Sequence, residues 1–221
     1  MNNSDIEKND VPAVNQTNEK VHITTVKNPK LKVLIMGNSI TLHEKAPHIG
    51  WNLNCGMAAS APENDYVHVI LKNLTEKYGQ ISSCVVNVAD FERNYFDEST
   101  YYLYEMAKDF SADLVIYRFG ENVKRDRFDE FPLAPYLEKF FNHFAHHAKK
   151  VIVTDTFWAH EYICSSIKTA CEKIGAEFVS LSDLGNKDEN KAIGLFENQG
   201  VARHPGDLGM KRIAERILEK I

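Results

Sequence analysis

Three residues of this chain have the types and the placement to act together on an ester carbonyl. Ser39 stands in Gly37-Asn38-Ser39-Ile40-Thr41, directly after the apolar stretch Leu31 to Met36. A serine hydroxyl is a weak nucleophile until a base removes its proton during attack. The base candidate is His204, in Val201-Ala202-Arg203-His204-Pro205-Gly206-Asp207, because an imidazole titrates near neutral pH. Asn122, in Gly120-Glu121-Asn122, carries an amide able to donate to the oxyanion of a tetrahedral intermediate. Each is ordinary alone: a turn serine, one of nine histidines, a loop asparagine. Their joint placement after a first strand, after a third strand and before a last helix is the signal. In an open α/β sheet such positions converge at the carboxyl ends of the strands, where ligands bind.

The elements that must position them follow from apolar patterning. Five runs predict core strands: Val33–Met36, Cys84–Val88, Leu114–Tyr117, Val151–Thr154 and Glu177–Leu181. Most are continuous rather than alternating, as expected of strands covered on both faces. Helical patterns separate them at 64–78, 98–110 (with Asp97 as its cap), 132–148, 160–174 and 208–221, the last with Asp207 as its N-cap. Alternating strands and helices imply a parallel sheet with right-handed crossovers. Residues 40–62 are long for a βα connection, where about 2–6 residues is usual. With His43, His48, Trp51, Cys55 and Gly56 in it, this segment is expected to wall a pocket.

Composition narrows the function classes. A length of 221 residues allows one large domain; residues 1–29 are polar and are expected to be a flexible lead-in to a domain spanning 30–221. A net charge of −5 lacks the basic footprint of a nucleic-acid binder. No apolar run reaches membrane-spanning length. Residues 1–30 show no signal-peptide pattern, which favours a cytoplasmic protein, with a trimmed mature chain as the alternative. Cys55, Cys84, Cys164 and Cys171 form no Cys-x-x-Cys pair, so zinc and redox sites are disfavoured and buried free thiols expected. His143, His146 and His147 share a helix surface without a carboxylate or cysteine to complete a ligand set, and are expected on a solvated face.

The combined blocks resemble the SGNH hydrolases, the GDSL-type esterases and lipases, over residues 31–221. Gly37-Asn38-Ser39-Ile40-Thr41 is similar to the family's first block, with Asn in place of the usual Asp. Gly120-Glu121-Asn122 is similar to the third, and His204-Pro205 with Gly209 to the fifth. The resemblance implies a three-layer flavodoxin-like α/β fold with a five-stranded parallel sheet in the order 2-1-3-4-5. It implies acyl transfer through a serine ester with water as acceptor, the backbone amide of Ser39 joining Asn122 in the oxyanion hole, and no metal or organic cofactor.

The chain departs from that pattern twice. The family's aspartate lies three residues before the histidine, and here that position is Val201. A carboxylate there would orient the imidazole and stabilise its charged form. A main-chain carbonyl is the favoured substitute; Glu197, Glu121 and Asp207 are the competing carboxylates. The second-block glycine is also missing from Asn87-Val88-Ala89-Asp90-Phe91-Glu92, with Gly56 as another candidate donor. Trp51, Phe91, Tyr95 and Trp158 are aromatic candidates for lining an acyl slot or stacking on a sugar, and Glu121 for touching substrate. The expected function is a serine esterase removing a small acyl group, such as acetyl, from a carbohydrate or similar alcohol. The alternative is an SGNH-fold protein that binds a ligand without turnover. A flavodoxin-like binding module is weakened because no Gly-rich phosphate loop follows the first strand. The Gly-x-Ser-x-Gly elbow of the α/β-hydrolases is absent too.

Overall fold

The computed structural model describes residues 20–221. The strands are β1 Val21–Thr24, β2 Leu31–Gly37, β3 Ile81–Asn87, β4 Leu114–Arg118, β5 Lys150–Thr154 and β6 Glu177–Val179. The helices are α1 Tyr66–Tyr78, α2 Ala89–Arg93, α3 Glu105–Asp109, α4 Leu133–Phe144, α5 Glu161–Lys173, α6 Gln199–Ala202 and α7 Asp207–Leu218. Successive residues of a strand face opposite sides of a sheet. Here both sides are apolar. Val33, Ile35, Leu114, Ile116 and Ile152 pack on one side against Val67, Ile70 and Leu74 of α1 and Met210, Ile213 and Ile217 of α7. Leu34, Met36, Val115, Tyr117 and Val153 pack on the other against Leu137, Phe140 and Phe141 of α4 and Ile163 and Ile167 of α5. Two-sided burial makes three layers and accounts for the continuous apolar runs in the sequence.

The sheet order is β1-β3-β2-β4-β5-β6, with β2 to β6 mutually parallel. Counted from β2, the parallel strands keep the order 2-1-3-4-5. The sheet is nevertheless six-stranded and mixed, because β1 runs antiparallel along β3, with Val21 opposite Val86 and Ile23 opposite Cys84. The expected lead-in over 1–29 therefore contains a strand of the sheet; residues 1–19 lie outside the described residues. β1 is four residues long in a polar setting, yet Val21 and Ile23 alternate into the core beside the aromatic cluster.

Two other elements differ from their sequence patterns. The stretch 98–110 is a 3-10 helix over Glu98–Tyr104 followed by α3. Thr100 and three tyrosines make a poor α-helix start, and the 3-10 repeat sets Tyr101 and Tyr104 on one face, both buried. Asp97 does cap it, accepting from Ser99 N. Asp207 is not the cap of α7, a place taken by Gly206. Its carboxylate instead accepts from Ser60 N at 2.8 Å and Ser60 Oγ at 2.6 Å, fastening the 40–62 segment to α7.

That segment is ordered. Bridges join His43 to Cys55 and Ala46 to Trp51, and the Trp51 indole N–H donates to His43 O at 3.2 Å. Trp51 is 1% exposed, packed with Ala46, Met57, Ala192 and Val201. It is a packing residue and not a substrate contact, because its ring is spent on holding the segment against the chain around Val201. Phe91 and Tyr95 are likewise fully buried, Phe91 stacked on Phe140 with ring centroids 3.7 Å apart. Of the three histidines expected on a solvated face, His146 and His147 are exposed, whereas His143 is half-buried, its Nε2 meeting Glu105 Oε1 at 3.0 Å and its ring lying against Tyr101. All four cysteines are free.

Burial of Val21 gives a direct test of β1. Val21→Asp places a carboxylate in the core, which should cost about 2–5 kcal/mol of unfolding free energy in urea titration. An unchanged midpoint would contradict the pairing of this strand.

Candidate active site

The nucleophile turn is built on a glycine. At Gly37, where β2 ends, a Cβ would overlap the Thr41 hydroxyl and approach Arg118 O to 2.6 Å. With that space free, the chain folds tightly over Asn38. Thr41 N and Leu42 N donate to Asn38 O at 2.9 and 3.0 Å, and Ile40 N donates to Asn38 Oδ1 at 3.2 Å. The Ser39 N–H stays outside these turn bonds, and Ser39 is presented at the carboxyl end of the sheet.

His204 reaches it from the far end of the chain. Ser39 Oγ lies 2.9 Å from His204 Nε2, and His204 Nδ1 lies 2.7 Å from Gly200 O. A carbonyl only accepts, so Nδ1 carries the proton and Nε2 is left bare to accept from the serine. Gly200 belongs to α6, which is capped at its start by Asn198 Oδ1 accepting from Gly200 N and Val201 N. The last carbonyls of a helix lack intrahelical partners, and the imidazole takes one of them. Val201, at the family's aspartate position, is buried in the cluster around Trp51. Of the competing carboxylates, Asp207 is held by Ser60, Glu121 by Arg118, and Glu197 is exposed. Burial holds His204 below the ordinary imidazole pKa, opposed by the Gly200 bond and by the charge of Glu121. Trp158 touches this centre edge-on, its ring centroid 5.5 Å from that of His204.

Beneath the serine lies a buried polar network. Glu92 of α2 is fully buried. Its Oε1 accepts from Gly120 N at 2.6 Å, Asn122 N at 3.2 Å and Asn38 Nδ2 at 3.0 Å, and its Oε2 from Asn122 Nδ2 at 2.7 Å. Arg118, also fully buried, donates to Asn38 Oδ1 at 2.9 Å and forms a short ion pair with Glu121. Glu121 further accepts from Asn38 Nδ2 at 2.6 Å and Phe157 N at 2.8 Å. Asn38 thus donates to two carboxylates while accepting from a guanidinium and an amide. An aspartate could not donate, and would add a third negative charge. This explains the asparagine in the family's Asp position. Burial, then the Glu121 charge, pushes the Glu92 carboxyl up, while bonds from Asn122, Gly120 and Asn38 pull it back.

Ser39, Asn122 and His204 share a cleft of about 290 Å³ with Lys20, His43, Glu44, Met57, Asn87, Ala89, Asp90 and Arg93. The sequence-predicted serine, asparagine and histidine therefore meet, with part of the 40–62 segment as a wall. Glu121 is not a substrate contact, since its oxygens are engaged by Arg118, Asn38 and Phe157. Gly56 is not an oxyanion donor: its N–H goes to Asp65 Oδ2 at 2.9 Å, and it is glycine because a Cβ would meet Ile40 O at 2.5 Å. In the segment after β3, Ala89 lies on the cleft wall and its N–H goes to Asn87 Oδ1 at 2.9 Å. Sequence reasoning missed Glu92 and Arg118. The one available signal was Arg118 itself, a charge closing an otherwise apolar strand run.

No protein-family model and no curated protein matches the chain in sequence. Its structure is similar to LAE5, an alpha/beta hydrolase from the metagenome of Lake Arreo, at 16% identity and TM-score 0.55, covering 86% of this chain and 94% of that one. It is similar to Axe2, an acetylxylan esterase from Geobacillus stearothermophilus, at 15% identity and TM-score 0.54, covering 87% and 94%. A Bacteroides ovatus protein described as a GDSL-like lipase is similar at 15% identity and TM-score 0.56, covering 87% and 98%. The strand order and these neighbours together show that the chain shares the three-layer α/β fold of proteins described as an alpha/beta hydrolase, an acetylxylan esterase and a GDSL-like lipase.

Proposed function

We propose that this protein is a serine esterase that transfers a small acyl group from an ester to water. The observation that carries the reading is the contact of Ser39 Oγ with His204 Nε2 at 2.9 Å while Gly200 O fixes the tautomer from the other nitrogen. In this mechanism Ser39 Oγ attacks the ester carbonyl carbon as its proton passes to His204 Nε2. The tetrahedral oxyanion is met by the Ser39 N–H and the Asn122 amide. Collapse breaks the bond to the alcohol, which leaves with the proton from Nε2. Water then attacks the acyl-serine ester, giving its proton to Nε2, and collapse releases the acid as Nε2 returns that proton to Ser39 Oγ, restoring the serine and the neutral imidazole. A neutral carbonyl stabilises the transient imidazolium less than an aspartate would; the Glu121 charge contributes the same sign of stabilisation through space.

A small acyl group and a polar alcohol suit the cleft, which is near the low end of the ~300–1,000 Å³ range of ligand pockets. Acetyl on a carbohydrate is the substrate class we favour, in keeping with the acetylxylan esterase among the structural neighbours.

Ser39→Ala should abolish hydrolysis of p-nitrophenyl acetate above background with an unchanged melting temperature. Wild-type turnover in the purified variant would sink the reading, and an inert wild-type protein would favour ligand binding without catalysis.

The acid limb of the kcat/KM profile should fall below the ordinary imidazole value of about 6.5. Burial penalises the cation, so neutral His204 persists to lower pH, and activity is lost only as pH falls through the lowered pKa. A limb above that value would mean that a carboxylate, not a carbonyl, holds Nδ1.

A further inference from the structure

The buried carboxylate under the site has a feature that packing alone does not require. All four hydrogen bonds to Glu92 come from groups beside the reacting atoms: Asn38, next to Ser39, and Gly120 and Asn122 of the oxyanion loop. A buried ionised side chain is costly to desolvate, and an apolar residue of similar volume would serve stability as well or better. Four N–H donors and no facing acceptor fit the ionised form, which can only accept.

Asn122 is held twice, by its backbone N–H and by its side-chain Nδ2. A primary amide carries two coplanar N–H bonds. With one anchored on Glu92 Oε2, the plane of the amide is set and the other is free for the cleft that Asn122 lines. An acceptor-only partner also forbids the flipped amide, which would present Oδ1 to a carboxylate. Resting on the esterase reading above, we propose that Glu92 is a positioning residue of the oxyanion hole, its buried carboxylate orienting the Asn122 amide toward the developing oxyanion.

Glu92→Gln is the informative variant. It keeps the shape and one acceptor oxygen, but offers an NH2 group where Asn122 needs an acceptor. The amide is then driven to flip, and the cleft loses its donor. With p-nitrophenyl acetate, kcat should fall about 10²-fold, the scale expected for a misplaced catalytic group, with KM changed less than about threefold. Asn122→Ala should lower kcat about 10²–10³-fold. In that background Glu92→Gln should cost less than about threefold more, because it acts through Asn122. Full additivity of the two losses would overturn the proposal. Glu92→Asp, which keeps the charge but shortens the reach, should fall between wild type and Glu92→Gln.

A readout independent of turnover is the side-chain amide of Asn122 in ¹H–¹⁵N spectra, assigned by its loss in Asn122→Ala. In the wild-type protein one of its protons should be shifted downfield and protected from exchange, and Glu92→Gln should remove both properties. A wild-type Asn122 amide with solvent-like shift and exchange overturns the proposal whatever the kinetics. A bonded amide that depends on Glu92, in a protein whose hydrolysis survives Ser39→Ala, would instead count against the esterase reading alone.

Discussion

A carboxylate taken out of water must be met by hydrogen-bond donors, and the carboxyl edge of this sheet is organised around that requirement. Glu92 stands on α2, after β3, yet its donors come from the turn after β2 and the loop after β4. Satisfying it therefore locks three strand ends into one arrangement. Arg118 and Glu121 extend the same logic, the guanidinium reaching Asn38 from the end of β4 while Glu121 reaches on to Phe157 N after β5. Asn38, whose side chain donates to Glu92 and Glu121 and accepts from Arg118 and Ile40 N, occupies the centre. Removing one member of such a network leaves buried groups unpaired, at a cost larger than the network's net worth. Its rigidity is what allows Ser39 and Asn122, 83 positions apart in the chain, to share one cleft.

The histidine is held by a different device. In a Ser-His-Asp site the acid both orients the imidazole and stabilises its charge. Here the two tasks are separated. Orientation comes from the Gly200 carbonyl of α6, a group that a helix of one turn leaves without an internal partner. Charge stabilisation comes only from a distance, through Glu121. Burial still leaves the imidazole less basic than usual, against the opposing pull of the Gly200 bond and the Glu121 charge.

Much of this was legible in the sequence. The five parallel strands announced themselves because two-sided burial leaves long apolar runs. Ser39, Asn122 and His204 were recognisable because they sit at breaks in that pattern, beside the glycines that tight turns require. β1 was hidden since four residues in a polar stretch carry too little periodicity. Trp51 misled for the opposite reason: a large aromatic residue in a loop suggests a ligand contact, when the loop needed it as its own core. Glu92 had no local signature at all. A glutamate on a short helix is ordinarily solvated, and its partners at positions 38, 120 and 122 become neighbours only after the sheet has formed. Arg118 alone hinted at the network. Val201 at the aspartate position pointed to a main-chain carbonyl as one option, but not to Gly200, because a four-residue helix leaves no periodic signal in the sequence.

The central claim is that Ser39 is made nucleophilic by His204 without a carboxylate behind it. Treatment with a fluorophosphonate probe, followed by peptide mapping, tests this most directly, because the probe reacts with activated serines and reports the residue it modifies. The account predicts a single adduct on Ser39, formed far more slowly in His204→Ala and at an undiminished rate in Glu197→Gln. Labelling at another serine, labelling that does not depend on His204, or no adduct at all would contradict it.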